Sequence, residues 1–220
     1  MNPTGLLARI ESYADPLEAI GNDAPPAPRW NQDWFPRLDA AAAYAMVRAL
    51  APQRIVEVGS GHSTRFMARA VADGKLGTRI TAIDPAPRAS LEGLNVRWLK
   101  HPVQAAEAAL FEQLEERDIL FIDSSHQLKP GSDVEFLLER VLPRIAKGVR
   151  VHFHDIFLPD PYPAAWAWRR YNEQEGVAPL IGRGYAMEFS SHQAQKLNGV
   201  LARLPLKRGA IESSLWLRKL

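Results

Sequence analysis

From residue 54 onward, short apolar runs alternate with stretches whose apolar residues recur at three- and four-residue intervals. The runs Arg54–Val58, Arg79–Ile83, Val96–Leu99, Ile119–Ile122 and Val149–Phe153 have the length and β-branched content of buried strands. Between them, helical patterns fit Ser63–Ala72, a short Ala86–Leu91, Val103–Glu116 and Gly131–Val141. Alternation of this kind predicts a doubly wound, mostly parallel α/β sheet. Tyr185–Phe189 and Ser214–Leu217 read as two more strands with no clear crossover helix between them. They predict an antiparallel hairpin that completes a seven-stranded sheet.

The stretch before residue 38 follows neither pattern. Pro16, Pro25, Pro26, Pro28 and Pro36 exclude a single helix there, and Trp30, Trp34 and Phe35 give it apolar weight. Residues 1–37 are read as an arm with a short helix near Gly5–Tyr13 and a folded-over loop, one that could cross to a second copy in a homodimer. Residues 38–220 form the main domain, opening with an alanine-rich helix over Leu38–Leu50 that Pro52 ends. Within it, residues 156–175 make a lid stiffened by Pro159, Pro161 and Pro163. Tyr162 and Trp166 are candidate walls for a small-molecule substrate, whereas Trp168 is expected to pack onto the sheet.

Composition narrows the class. The chain has 220 residues, 46% hydrophobic and 24% charged, which suits one well-buried domain with an extra arm. A net charge of +2, with Lys196, Arg203, Lys207, Arg208, Arg218 and Lys219 spread out, does not advertise a nucleic-acid partner. No cysteine is present, so disulfides and thiolate zinc sites are excluded. No run of 18 apolar residues occurs, and no membrane partner is expected. A cytoplasmic location is the expectation.

The chemistry concentrates at strand ends. Ile55-Val56-Glu57-Val58-Gly59-Ser60-Gly61-His62-Ser63-Thr64 is a strand that turns through two glycines into a helix, building a pocket floored by backbone N–H groups. A dinucleotide site would want a third glycine where Thr64 stands, and Glu57 suits a cationic ligand better than a pyrophosphate. Asp84 ends the next strand, 23 residues beyond Gly61, where a carboxylate can accept both ribose hydroxyls. Asp123 and His126 follow the fourth strand, and His154 and Asp155 the fifth, so all four should converge on one cleft. His152 is expected to pack against a flanking helix and hydrogen-bond locally, and Asp133 and Glu135 to face solvent.

The acidic-x-Gly-x-Gly motif at Glu57–Gly61, with Asp84 after it, resembles motif I of the class I S-adenosylmethionine-dependent methyltransferases. That resemblance implies a Rossmann-like fold. It assigns Glu57, Gly59, Ser60, Gly61, Ser63, Asp84, Gln104 and Asp123 to the methyl donor, with Gln104 near the adenine. The strand-four and strand-five ends resemble the catechol and macrocin O-methyltransferases, including a bacterial group that also carries the cephalosporin hydroxylase label. The likeness covers roughly residues 54 to 160. It implies methyl transfer to a small hydroxylated acceptor, a divalent metal such as Mg2+ on Asp123, His154 and Asp155, and a base at His126, with His154 second. In this chain an imidazole stands where the pattern usually has a carboxylate or amide ligand, and a histidine where it has lysine. The alternatives are a catalytically silent nucleoside-binding module of the same fold and a nicotinamide-dependent enzyme.

Overall fold

The computed structural model describes residues 3–21, 24–194 and 197–220; Lys196, one of the dispersed cations, lies outside them. The arm folds as α1 (Pro3–Glu11) and α2 (Ala14–Glu18), and an irregular stretch leads to α3 (Arg37–Leu50). There follow β1 (Arg54–Val58), α4 (His62–Asp73), β2 (Arg79–Ile83), β3 (Arg97–Leu99), α5 (Ala109–Glu112) and β4 (Ile119–Ile122). Next come α6 (Asp133–Phe136), prolonged by a π-helical turn over Leu137–Val141, and β5 (Arg150–Phe153). The chain closes with α7 (Glu173–Val177), β6 (Tyr185–Ser190), α8 (Val200–Arg203) and β7 (Leu215–Lys219).

Seven strands form one sheet in the order β3-β2-β1-β4-β5-β7-β6. The first five are parallel, and β7 runs antiparallel to both β5 and β6. The expected terminal hairpin is present, although residues 191–214 separate its strands and carry α8. Side-chain alternation along the strands splits the core into two layers. Ile55, Ile80, Ile119, Phe121 and Trp216 pack toward α1, α3 and α4. Val56, Leu120, Val151 and Leu217 pack toward the opposite layer, with Phe111, Leu137 and Val141.

Residues Leu38–Val47 of α3 are all buried, and the Ala40–Ala43 run lets neighbouring elements approach closely on several sides. The arm does not stand apart. Leu6, Ile10, Leu17, Ile20, Trp30 and Phe35 enter the same core as α3, so the arm packs back on its own chain.

Two expected helices are shorter or missing. Ala86–Leu91 is a loop: the Asp84 carboxylate accepts from Ala86 N, and the Arg65 guanidinium holds the Ser90 carbonyl at 2.8 Å. Pro87, which has no N–H, opposes a helix there as well. Val103–Glu116 breaks into a 3-10 turn at Val103–Ala105 and the four-residue α5. Only Val103, Phe111 and Leu114 of that segment are buried, too few anchors to hold a continuous helix on the sheet. Among the described residues no helix is long and apolar enough to cross a membrane.

Candidate active site

In a parallel sheet the strand order reverses once, and ligands collect beyond the carboxyl ends at that point. Here the reversal lies between β1 and β4, and a cleft of about 650 Å³ opens there. Its walls include Gly59, Ser60, Asp84, Gln104, Asp123 and Asp133. Gly59 has φ +78°, and a Cβ on it would stand 1.9 Å from the Asp123 carbonyl oxygen, so only glycine lets β1 turn this close to β4. Three carboxylates (Asp84, Asp123, Asp133) face two cations (Arg88, Lys129) in this cleft. That balance fits a ligand carrying an ammonium and a sulfonium, and disfavours a pyrophosphate.

Within the cleft, Asp84 Oδ2 accepts from Ser60 N (2.7 Å) and Ser60 Oγ (3.0 Å), tying the glycine turn to the end of β2. Gln104 donates to the Gly131 carbonyl at 3.1 Å. Asp133, expected in solvent, is half-buried and holds Ser125 N at 2.8 Å, while Glu135 accepts from Gly131 N. Glu57 and Ser63 lie behind the turn rather than on the cleft wall. The fully buried Glu57 carboxyl accepts from Ser63 Oγ (2.5 Å) and Thr64 Oγ1 (2.6 Å), and Thr64 Oγ1 accepts from Gly61 N. Their place in the geometry is to brace the start of α4 under Ser60 and Gly61. Burial pushes the Glu57 carboxyl up to about 8, against the two hydroxyl hydrogen bonds.

The ends of β4 and β5 bring Asp123, His126, His154 and Asp155 together. His126 Nε2 lies 3.3 Å from Asp123 Oδ1 and 3.6 Å from Asp155 Oδ2, and its Nδ1 is 2.8 Å from Glu173 Oε2. His154 Nδ1 lies 3.6 Å from Asp123 Oδ1 and 3.5 Å from Asp155 Oδ1, and its Nε2 is 3.3 Å from Asp39 Oδ2. Burial opposes a charge on either ring, but this ring of carboxylates outweighs it and holds both imidazoles protonated, well above the usual histidine range. Burial likewise works to raise Asp123, yet the His154 charge and the bonds from both histidines hold it well below the usual carboxylate range.

His126 and Asp155 adopt left-handed backbone, φ +59° and +55°, which costs roughly 1 kcal/mol or more for a residue with a side chain. The His126 carbonyl is held by Asn172 N (3.0 Å) and Glu173 N (3.2 Å) at the start of α7, which fixes that conformation. His152, fully buried, stacks on Phe121 of β4 at 3.7 Å and meets Ser214 Oγ at 2.8 Å, so its partners are a neighbouring strand and the distant tail segment rather than a flanking helix and a local group.

The metal implied by the resemblance does not fit this donor set. His126 Nε2 lies within 3.6 Å of the carboxylates of both Asp123 and Asp155. Both nitrogens of His154 face carboxylates, Nδ1 those of Asp123 and Asp155 and Nε2 that of Asp39. No group of three or more His, Cys, Asp or Glu among the described residues could hold a metal ion. Asp123, His154 and Asp155, the set the resemblance implies, stand here in a salt-bridged cluster with His126.

A second cavity, of about 110 Å³, adjoins this cluster. Asp33 and Trp34 of the arm, His154 and Asp155 of the β5 end, Trp166 and Arg169 of the lid and residues 209–211 line it. Trp166 thus faces the cavity that holds His154. Tyr162 packs inside the lid instead, 5.8 Å from Phe157 and 5.9 Å from Tyr171, with its hydroxyl near Gln174 N; burial pushes that hydroxyl up. Trp168, expected on the sheet, is 75% exposed, because the lid forms a 3-10 turn over Ala164–Arg169 rather than one long helix.

Sequence reasoning missed Asp39 and Glu173. Asp39 is the one carboxylate in an otherwise apolar run of α3, a signal that could have marked it as a buried partner. It accepts from Ser213 N and Ser214 N as well as contacting His154. Glu173 gave no comparable signal.

Comparison with known proteins agrees with this geometry. Residues 56–156 match the model of a methyltransferase domain family. No curated protein matched the sequence. Among solved structures, an SAH-bound methyltransferase of Podospora anserina is similar at 16% identity and TM-score 0.55, covering 98% of this chain and 88% of that one. Cofactor-bound Rv0187 from MTB is similar at 13% identity and TM-score 0.53, covering 98% and 89%. The O-methyltransferase from Bacillus cereus in complex with SAH is similar at 14% and 0.52, covering 98% and 91%. Identities this low establish the fold alone, and the family match covers residues 56–156. With its sheet order, its acidic cleft at the β1–β4 reversal and the match over residues 56–156, the chain has the fold of the methyltransferases it is similar to, and that segment matches a methyltransferase domain family.

Proposed function

We propose that the protein transfers a methyl group from S-adenosylmethionine to a hydroxyl of a small molecule held in the 110 Å³ cavity. The observation that carries this reading is that His154 and Asp155 line that cavity while Asp123, their neighbour, lines the donor cleft. Ser60, Asp84, Gln104 and Asp123 are the residues that would hold the donor, with Glu57, Gly59, Gly61 and Ser63 shaping the turn beneath them. Bound there, the donor supplies an electrophilic methyl on a sulfonium, together with its positive charge.

The chain's own part is orientation, exclusion of water and removal of one proton. Alignment of acceptor and donor can lower the barrier by up to ~7–11 kcal/mol in ideal geometry. The lid places Trp166 over the cavity and shields it from bulk water. The acceptor hydroxyl sits against Asp155, whose carboxylate takes its proton, while His154 beside it holds that carboxylate in place. His126 shares no wall with the cavity, and its charge is neutralised by Asp123, Asp155 and Glu173. In this reading it is a positioning residue that holds Asp123 and Asp155.

The test measures SAH formation over a panel of hydroxylated acceptors, in EDTA, for the wild type, His154→Gln, Asp155→Asn and His126→Gln. His154→Gln and Asp155→Asn should lose turnover by ~10²–10⁴ while SAH affinity holds. Wild-type turnover should persist in EDTA. Unchanged turnover in both variants would remove the pair from the mechanism, and a loss in EDTA restored by Mg2+ would reinstate the metal. SAH binding with no product from any acceptor would favour the silent nucleoside-binding module.

A further inference from the structure

The acceptor cavity has one charge without a counterpart. Asp33 pairs with Lys207 at 3.2 Å, and Asp155 lies against His154 and His126. Arg169 has no carboxylate within ion-pair distance among the described residues. Its Nη1 donates to Tyr171 Oη at 3.1 Å, and its buried Nε has no hydrogen-bond partner. A buried donor without an acceptor is costly, and in native proteins it is uncommon.

The guanidinium is also fixed in place. It lies 4.3 Å from the Trp166 ring centroid, 5.1 Å from Trp168 and 5.4 Å from Tyr171. Rings that hold a guanidinium by its faces leave its in-plane N–H edge for a ligand, and that fork matches a carboxylate. Trp34, 46% exposed, lines the same cavity with Arg88 4.2 Å from its ring centroid, and offers an apolar wall for the body of the acceptor.

Resting on the proposed methyl transfer, we infer that the acceptor carries a carboxylate as well as its hydroxyl: Arg169 takes the carboxylate, and His154 with Asp155 receives the hydroxyl. The chemical class is a hydroxylated carboxylic acid with a small flat or short body. Arg169 then serves as a specificity residue rather than one that handles the transferred methyl or the proton.

The experiment uses the full chain saturated with SAH and calorimetric titration of mono- and dihydroxybenzoates, a short hydroxy acid, and the methyl ester of each. At least one acid should bind on the order of tenfold to a hundredfold more tightly than its ester, the range expected for a charge-assisted hydrogen bond. Arg169→Gln should remove that preference and Arg169→Lys should restore part of it, with SAH affinity unchanged in both as the check of folding. Equal affinity for acid and ester, no affinity for any acid, or a preference that survives Arg169→Gln would overturn the assignment. A wild-type chain that does not bind SAH would instead bring down the donor reading itself, so the two failures are told apart.

Discussion

Glu57 ties the stability of the fold to pH. Its carboxyl, pushed up to about 8 by burial, binds a proton more tightly in the folded chain than in the unfolded one, where an ordinary value near 4.5 applies. The folded state therefore loses stability as pH rises from about 4.5 to about 8, by an amount on the order of a few kcal/mol, and the loss is complete above that window. Glu57→Gln does not ionise. Its melting temperature relative to the wild type should climb between pH 5 and pH 8 and then level off. A difference flat across that range would show that Glu57 is charged throughout. At this scale the sequence marked the residues that converge, because strand ends in a parallel sheet share one rim: Asp84, Asp123, His126, His154 and Asp155 all reach it. It did not mark their partners. Asp39 lies 115 positions from His154, and Glu173 lies 47 from His126, so nothing local connects them. The same blindness hid the protonation of both histidines, which depends on those partners.

Among the elements, α3 fixes more than the core. Asp39 holds the backbone of Ser213 and Ser214 and meets His154, while Ser213 Oγ donates to Asp155 Oδ1 at 2.9 Å. One helix thus sets the tail segment and the β5 end against each other. Asp39→Ala would leave two buried N–H groups and a charged imidazole without this partner, and should cost ~3–5 kcal/mol in a urea melt. Asp39→Asn, which keeps an acceptor, should cost less; equal losses would point to side-chain volume rather than hydrogen bonding. The strands were legible to within a residue or two, best for β1, β4 and β5, whose apolar runs are buried on both faces. The helices were less so. Over Ala86–Leu91 and Val103–Glu116, propensity favoured a helix, but the fold offers those stretches little apolar surface to lie on.

For the whole molecule, the arm belongs to the domain. Leu6, Ile10, Leu17, Ile20, Trp30 and Phe35 are each at most 3% exposed. Burial of such side chains contributes about 1.5–3 kcal/mol apiece, and six together rival the ~5–15 kcal/mol that stabilises a typical domain. Deletion of residues 1–36 should therefore give a chain without a cooperative melt and with bound hydrophobic dye. A cooperative melt near that of the full chain would make the arm dispensable. The sequence showed a proline-rich arm but not its docking, since prolines announce only what the backbone cannot be. The order of strands carries one last consequence, for synthesis. β6 is made before β7 yet pairs only with it, and Ser213 and Ser214 reach Asp39, Asp155 and His152 only once β7 is in place. A growing chain emerging from the ribosome thus carries an unpaired strand and an unset proton acceptor until residues 215–219 have been added. Catalytic competence arrives late and all at once, and β6 is the segment a chaperone would have to guard in the meantime.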